Sequence, residues 1–334
     1  TGGNGNSDSY TSVSAASFRT AEYQKGNFLD AINAAEAYST IYKKDADGNL
    51  VSHQAASDDP LKTVKVGIID TGVYGHDELE GKITGSYDLN QYNSLGNVWG
   101  YAKGTKHFYV LHEDEKYYLL IINNAESSSI SVSPYDNMTY SELTSRLSAY
   151  GLSFDNFTLM NGSGGGTPGA SDSGFKPDYS QLMTWWNIIN DLNHGTHIAG
   201  IIAAKKDDNG MHGVAFENAE IYAGSWDYIK NMYPMVKDMV DSGVKVINNS
   251  WGYSDSNASN PQWLITHDGK SFVSAYAYAA KNKAVWVQAT GNESMSEAGV
   301  QAGLGKLNLS SYGYNGAGTY EAPFIAVAAL DTSK

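Results

Sequence analysis

The chain has 334 residues, 41% of them hydrophobic, enough to bury the core of one large domain or two smaller ones. Its formal net charge is −14 and its only arginines are Arg19 and Arg146, which excludes non-specific nucleic-acid binding and a cationic phosphate clamp. The absence of cysteine excludes disulfides, thiolate nucleophiles and Cys-ligated zinc, and no apolar run approaches the ~18 residues of a membrane-spanning helix.

In chain order, residues 1–20 open with TGGNGNSDSYTSVS, a Gly/Ser/Asn/Thr-rich composition that reads as a flexible N-terminal tether or a processed end. NFLDAINAAEAYSTIY then has helical periodicity, with Phe28, Ile32 and Ala35 on one face and Leu29 beside them. DADGNL reads as a turn, because it lacks the Glu that would complete an EF-hand-like loop. TVKVGIID is a nearly continuous β-branched run, the pattern of a strand buried on both faces. After a long interval come NHGTHIAGIIAA as a small-residue helix, AEIYAGSW as a strand and YIKNMYPMVKDMVDSG as a helix closed by Gly243. VKVINNSWG reads as a strand, WLITHDGKSFVSAYAYAAKNKA contains a helix, and VWVQATGN and PFIAVAALD are two further strands. Strands alternating with helices predict an α/β fold, a mostly parallel sheet with helices on both faces.

The rhythm breaks between residues 96 and 181. HFYVLHEDEKYYLLIINNA reads as an antiparallel hairpin turning at HEDE, TYSELTSRLSAYG as a short helix opened by Thr139 or Ser141 and ended by Gly151, and NGSGGGTPGASDSG as a flexible loop. The predicted organisation is therefore a tether over 1–20, one α/β domain built from 21–95 and 182–334, and an inserted α+β subdomain over 96–181.

Three short stretches carry chemistry. In DLNHGTHIAG the two histidines stand three apart with Gly195 and Thr196 between them. Zinc proteases need histidines four apart with a Glu between, so zinc is a poor reading. In GIIDTGV, Asp70 ends a strand at the place where open α/β sheets put their sites. It also fits a capping Asp that accepts backbone N–H bonds. Asp-Thr-Gly marks aspartic proteases too, which use two such carboxylates, and only one copy occurs here. In VQATGNES, a strand runs into Asn292, whose neutral amide can donate to a developing oxyanion.

Taken together, strand–Asp-Thr-Gly, then Asn-His-Gly-Thr-His, then Ser-Trp-Gly, then Thr-Gly-Asn resembles the subtilisin-like serine protease family over most of residues 63–90 and 182–333. The resemblance implies that Asp70 orients the general base His194, and that Asn292 donates to the oxyanion. It also implies that polypeptide substrate pairs beside Ser250, Trp251 and Gly252, with Ala289, Thr290 and Gly291 in the oxyanion stretch. His197, about one turn beyond His194, reads as structural or pocket-lining. The family's nucleophile sits in a Gly-Thr-Ser motif, and none occurs in these 334 residues. The expectation is a serine supplied by a C-terminal fragment, with this chain inactive without it; the rival reading is a catalytically silent surface binding or adhesion module, or an inert protease fragment.

The Gly-rich start, FLDAINAAEAY, DDNGMHGVAF and VINNSWG are similar to passenger domains of autotransporter subtilisin-like proteases. That implies a secreted or bacterial cell-surface location and an outer-membrane barrel in the precursor. No cofactor is required by the implied chemistry. Family members often carry structural calcium on surface loops, and KKDDNG offers Asp207, Asp208 and Asn209 as ligands.

Overall fold

The computed structural model describes residues 10–26, 28–53, 62–73, 75–87, 98–113, 116–123, 131–159, 193–225, 232–252, 270–292, 300–307 and 324–329. The glycine-rich loop read at 161–174 lies outside the described residues. Chain packing defines two units, Thr1–Thr63 with Gly200–Ala219, and Val64–Ala199 with Glu220–Lys334.

In the first unit, β1 (Thr11–Ser12), β2 (Tyr42–Lys44) and β3 (Leu50–Ser52) form an antiparallel sheet in that order. DADGNL makes the β2–β3 turn: Asp45 Oδ1 accepts the N–H groups of Asp47 at 3.0 Å and Asn49 at 2.8 Å. The stretch read as one helix is two, α2 (Phe28–Ala31) and α3 (Ala34–Ile41), after a short α1 (Ala21–Lys25). Asn33 breaks it with φ of 54°, a left-handed conformation that Asn tolerates. The break turns the apolar stripe, so Leu29, Ala35 and Tyr38 are buried while Ile32 is left 54% exposed. Val13 and Phe18 are buried with Tyr38, Tyr42 and Phe216, which anchors residues 11–18 where composition reads as a tether. Two apolar anchors decide this, and a polar average hides them.

In the second unit the main sheet uses β4 (Val64–Asp70), β6 (Ile83–Ser86), β12 (Ala219–Ser225), β13 (Val246–Asn249), β14 (Val285–Ala289) and β15 (Phe324–Val327). Their order is β15-β14-β13-β4-β12-β6, and the paired registers of β12 with β6, β13 with β4 and β14, and β14 with β15 are parallel. Three further helices are α5 (Asn193–Ala203), α6 (Met232–Asp241) and α7 (Lys270–Lys281). Met232, Met235, Val236 and Met239 recur at helical spacing on α6 and pack with Phe272, Val273 and Tyr276 of α7 against Ile69, Ile247 and Trp286 of the sheet. Each such buried side chain contributes about 1.5–3 kcal/mol.

Between β4 and α5 the chain builds a second sheet. It comprises β7 (Val98–Lys103), β8 (Lys106–Glu113), β9 (Lys116–Asn123), β10 (Ser131–Met138) and β11 (Thr158–Leu159), in the order β10-β9-β8-β7-β11. The β8–β9 pair is the antiparallel hairpin the sequence predicts. α4 (Tyr140–Ser148) starts at Thr139, whose hydroxyl caps Glu142 N–H while the Glu142 side chain returns to Thr139 N–H. Its Leu143 and Leu147 bury against Phe108, Val110, Leu119 and Ile121. A short strand directly after the Asp-Thr-Gly turn, β5 (Gly75–His76), pairs in parallel with β7 and joins this sheet to the main chain path.

His107 lies on the opposite face of that sheet, 6% exposed, with Nδ1 3.1 Å from the Tyr109 hydroxyl. Burial, followed by the nearby His76, pushes its imidazole down to about 4. A neutral buried imidazole binds fewer protons than its unfolded counterpart, so its stability contribution is complete above pH ~6.5 and is lost as pH falls toward 4. The loss amounts to on the order of 3 kcal/mol. Urea midpoints measured at pH 7, 5.5 and 4 should fall more steeply for the native chain than for His107→Gln; parallel slopes would refute this.

Candidate active site

The site grows from the C-terminal edge of the parallel sheet. Three neighbouring strands, β4, β13 and β14, end there in Asp70, Asn249 and Ala289. Asp70 is 1% exposed. Its Oδ1 accepts the Thr71 N–H at 2.8 Å, so the capping role that the residue type suggests is also made. Gly72 follows with φ of 103°, and this turn takes the chain out of the sheet.

His194 stands in the first turn of α5, and its Nδ1 lies 2.6 Å from Asp70 Oδ1. With Nδ1–H donating to the carboxylate, Nε2 is the nitrogen left for a substrate or nucleophile. The pair is asymmetric: the histidine side chain is 54% exposed and the carboxylate 1%. Both donors, the Thr71 N–H and the imidazole, meet Oδ1, and among the described residues Asp70 Oδ2 meets no hydrogen-bond partner.

Two features hold α5 at this distance. Gly195 N–H donates to Thr71 Oγ1 at 3.0 Å, which ties the helix start to the Asp turn. A Cβ on Gly195 would stand 2.1 Å from the Gly72 carbonyl oxygen, so only glycine permits the approach. Thr71 was not singled out by the sequence, although its place between Asp70 and Gly72 is the available signal. His197 is exposed one turn further along the helix.

Ser250, Trp251 and Gly252 continue directly from β13, with Gly252 exposed. Trp251 does not project into open space: its indole N–H donates to Ile69 O at 2.7 Å, and its ring meets Phe272 edge-on at 5.8 Å. Ser250 Oγ accepts from Asn248 Nδ2 at 2.9 Å. The β14 continuation passes through Ala289 and Thr290, whose N–H donates to Val327 O at 2.9 Å, to Gly291 with φ of 108° and the exposed Asn292. The two segments are side by side and joined by Gln288, whose side chain is fully buried and donates to Trp251 O at 2.6 Å. The signal for Gln288 in the sequence is an amide within the apolar run VWVQA.

Asp207, Asp208 and Asn209 belong to the first unit. Their loop turns its amides inward: Asp207 and Asp208 N–H donate to the two carboxylate oxygens of Glu22 at 3.1 and 3.2 Å. Asp208 has φ of 66°, and successive amides converging in this way form an anion-binding nest, the opposite polarity to a calcium cradle. The Asp207 carboxylate pairs with Lys205 at 3.2 Å and that of Asp208 with Lys206 at 3.6 Å. Among the described residues no group of three or more acidic or histidine side chains converges as a metal site. In this loop the Asp207 and Asp208 amides turn to Glu22 and the two carboxylates turn to lysines.

A model of the subtilase family matches residues 61–334. An extracellular serine protease of Serratia marcescens is 48% identical over 60 residues, covering 18% of this chain and 6% of that protein. Fervidolysin of Fervidobacterium pennivorans is 30% identical over 133 residues, covering 36% of this chain and 17% of its own. The matched stretches thus span less than a fifth of each relative's length.

Gly195→Ala is expected to push α5 from the Gly72 carbonyl, lowering stability by about 2 kcal/mol and separating His194 from Asp70. Thermal melting together with the imidazole Nδ1–H proton resonance would read both effects, and an unchanged resonance would refute the second. Glu22→Ala should cost about 3 kcal/mol by leaving the nest and Lys206 without their carboxylate.

Proposed function

The chain belongs to the subtilase family, and from that premise we propose that it forms the Asp–His half of a serine endopeptidase that hydrolyses peptide bonds through an acyl-enzyme. The observation that carries this reading is the 2.6 Å contact between a buried carboxylate at a strand end and a half-exposed imidazole at a helix start. A serine hydroxyl is a weak nucleophile until an adjacent imidazole takes its proton. Asp70 fixes the tautomer that directs Nε2 outward and stabilises the imidazolium formed when that proton arrives. His194 then delivers the proton to the leaving amine.

Asn292, exposed at the turn after β14, supplies the side-chain amide for the oxyanion of the tetrahedral intermediate. Extended polypeptide substrate adds beside Ser250–Gly252, and Ala289–Gly291 lie in the stretch that leads to the oxyanion amide of Asn292. The indole of Trp251 is turned back onto Ile69 and Phe272, which supports a first pocket walled by backbone rather than by that ring. The reactive serine belongs to a segment other than these 334 residues, in the same polypeptide or in a second one. The Serratia relative is named as an extracellular serine protease, which supports an exported enzyme. The resemblance to autotransporter passengers extends the proposal to a bacterial surface or secreted location, with an outer-membrane barrel in the precursor.

Intact mass spectrometry of the full-length protein after treatment with a fluorophosphonate tests the reading. One adduct on a serine of a Gly-Thr-Ser segment is expected, and no adduct would favour a catalytically silent binding module. Asp70→Asn should reduce peptide hydrolysis by about 10⁴-fold. Asn292→Ala should reduce it by about 10²–10³-fold through kcat.

A further inference from the structure

We infer that Gln288 is a positioning residue that decides which edge of the Ser250–Gly252 segment receives a substrate main chain; this rests on the peptidase reading above. Gln288 sits on β14 in register with Asn249 of β13 and is completely buried. Its Oε1 accepts the Trp286 indole N–H at 3.3 Å. That donor fixes the amide orientation, because a flipped amide would oppose N–H to N–H on one side and oxygen to oxygen on the other. Nε2 therefore faces two carbonyls, Trp251 O at 2.6 Å and Asn249 O at 3.4 Å.

Those two carbonyls are two residues apart. In an extended chain, groups two apart point the same way and the one between them points the opposite way. Gln288 thus holds residues 249–251 extended beyond the end of β13 and occupies their β14-facing side. The Ser250 carbonyl then faces the β4 side, where β4 has ended at Asp70 and where His194 stands. Among the described residues no strand pairs with this continuation on the β4 side. An added strand can meet only Ser250 and Gly252 there; the Trp251 carbonyl is already taken. The register of substrate against the Asp70–His194 pair follows from one buried amide.

Trp251 is held from its other end as well, by the indole bond to Ile69 O, one residue before Asp70. The hydrogen-bonded path Trp286–Gln288–Trp251–Ile69 therefore spans the oxyanion strand, the substrate-binding segment and the strand that carries Asp70. Gln288 ties the first of these to the second.

The test compares the full-length native protein with Gln288→Met, which keeps the volume and removes the donor. Two quantities are read. The first is the affinity for a fluorescent extended peptide with a reduced, non-cleavable central bond; the second is the rate of fluorophosphonate labelling. The expected result is a loss of peptide affinity of about tenfold or more, with labelling slowed by less than about threefold. The inference is overturned if the variant binds peptide within about twofold of the native protein, or if affinity and labelling fall together, as a general loss of structure would produce. It is also overturned if the native protein binds no extended peptide. A native protein that is never labelled, yet binds peptide in a Gln288-dependent way, would remove the peptidase reading and leave the role of Gln288 standing.

Discussion

One hydrogen bond organises the second unit: Asp70 to His194, across 124 residues of sequence. For it to form, a carboxylate must be buried at the end of a central strand and a helix must begin within touching distance. Burial of Asp70 is tolerable because Thr71 N–H and the imidazole both donate to it. The close helix start is tolerable because residue 195 has no side chain. Parallel strands bring the remaining parts to the same edge, since β4, β13 and β14 all run in one direction and stop there.

The long excursion between those two residues is compatible with this geometry because it folds on itself. β7 to β11 and α4 have their own core around Phe108, Val110, Leu119, Ile121, Leu143 and Leu147. Closing a loop costs only about 0.6 kcal/mol more for each doubling of its length, so a self-packed insertion need not disturb the ends it joins. Its attachment is the two-residue β5, which leaves the Asp-Thr-Gly turn and pairs at once with β7.

Polarity explains two local conformations. The KKDDNG loop is rich in carboxylates, its backbone turns N–H groups inward, and Glu22 from α1 answers them. Composition counts carboxylates and is blind to the direction of amides. Likewise the Trp251 indole N–H has a carbonyl to reach, that of Ile69 on β4, and this sets the direction of the ring. In each case the hydrogen-bonding demand of one group decided the conformation.

The sequence by itself determined the α/β alternation, the strand that ends in Asp70, the helix that starts near His194 and the hairpin of the insertion. These depend on local periodicity and on residue types at strand and helix ends, which a linear pattern contains. It also put Asp70 at a strand end and His194 at a helix start, and the structure brings the two within 2.6 Å. Only the tertiary structure decided that Thr71 clamps Gly195, that Glu22 fills the 205–210 loop, that Asn33 splits the first long helix and leaves Ile32 exposed, and that Gln288 joins two walls. The loop, clamp and wall contacts link residues 37 to 186 positions apart, with Thr71 and Gly195 separated by 124. Their strength comes from desolvation and from the direction of single N–H and C=O groups, which exist only once the chain has packed.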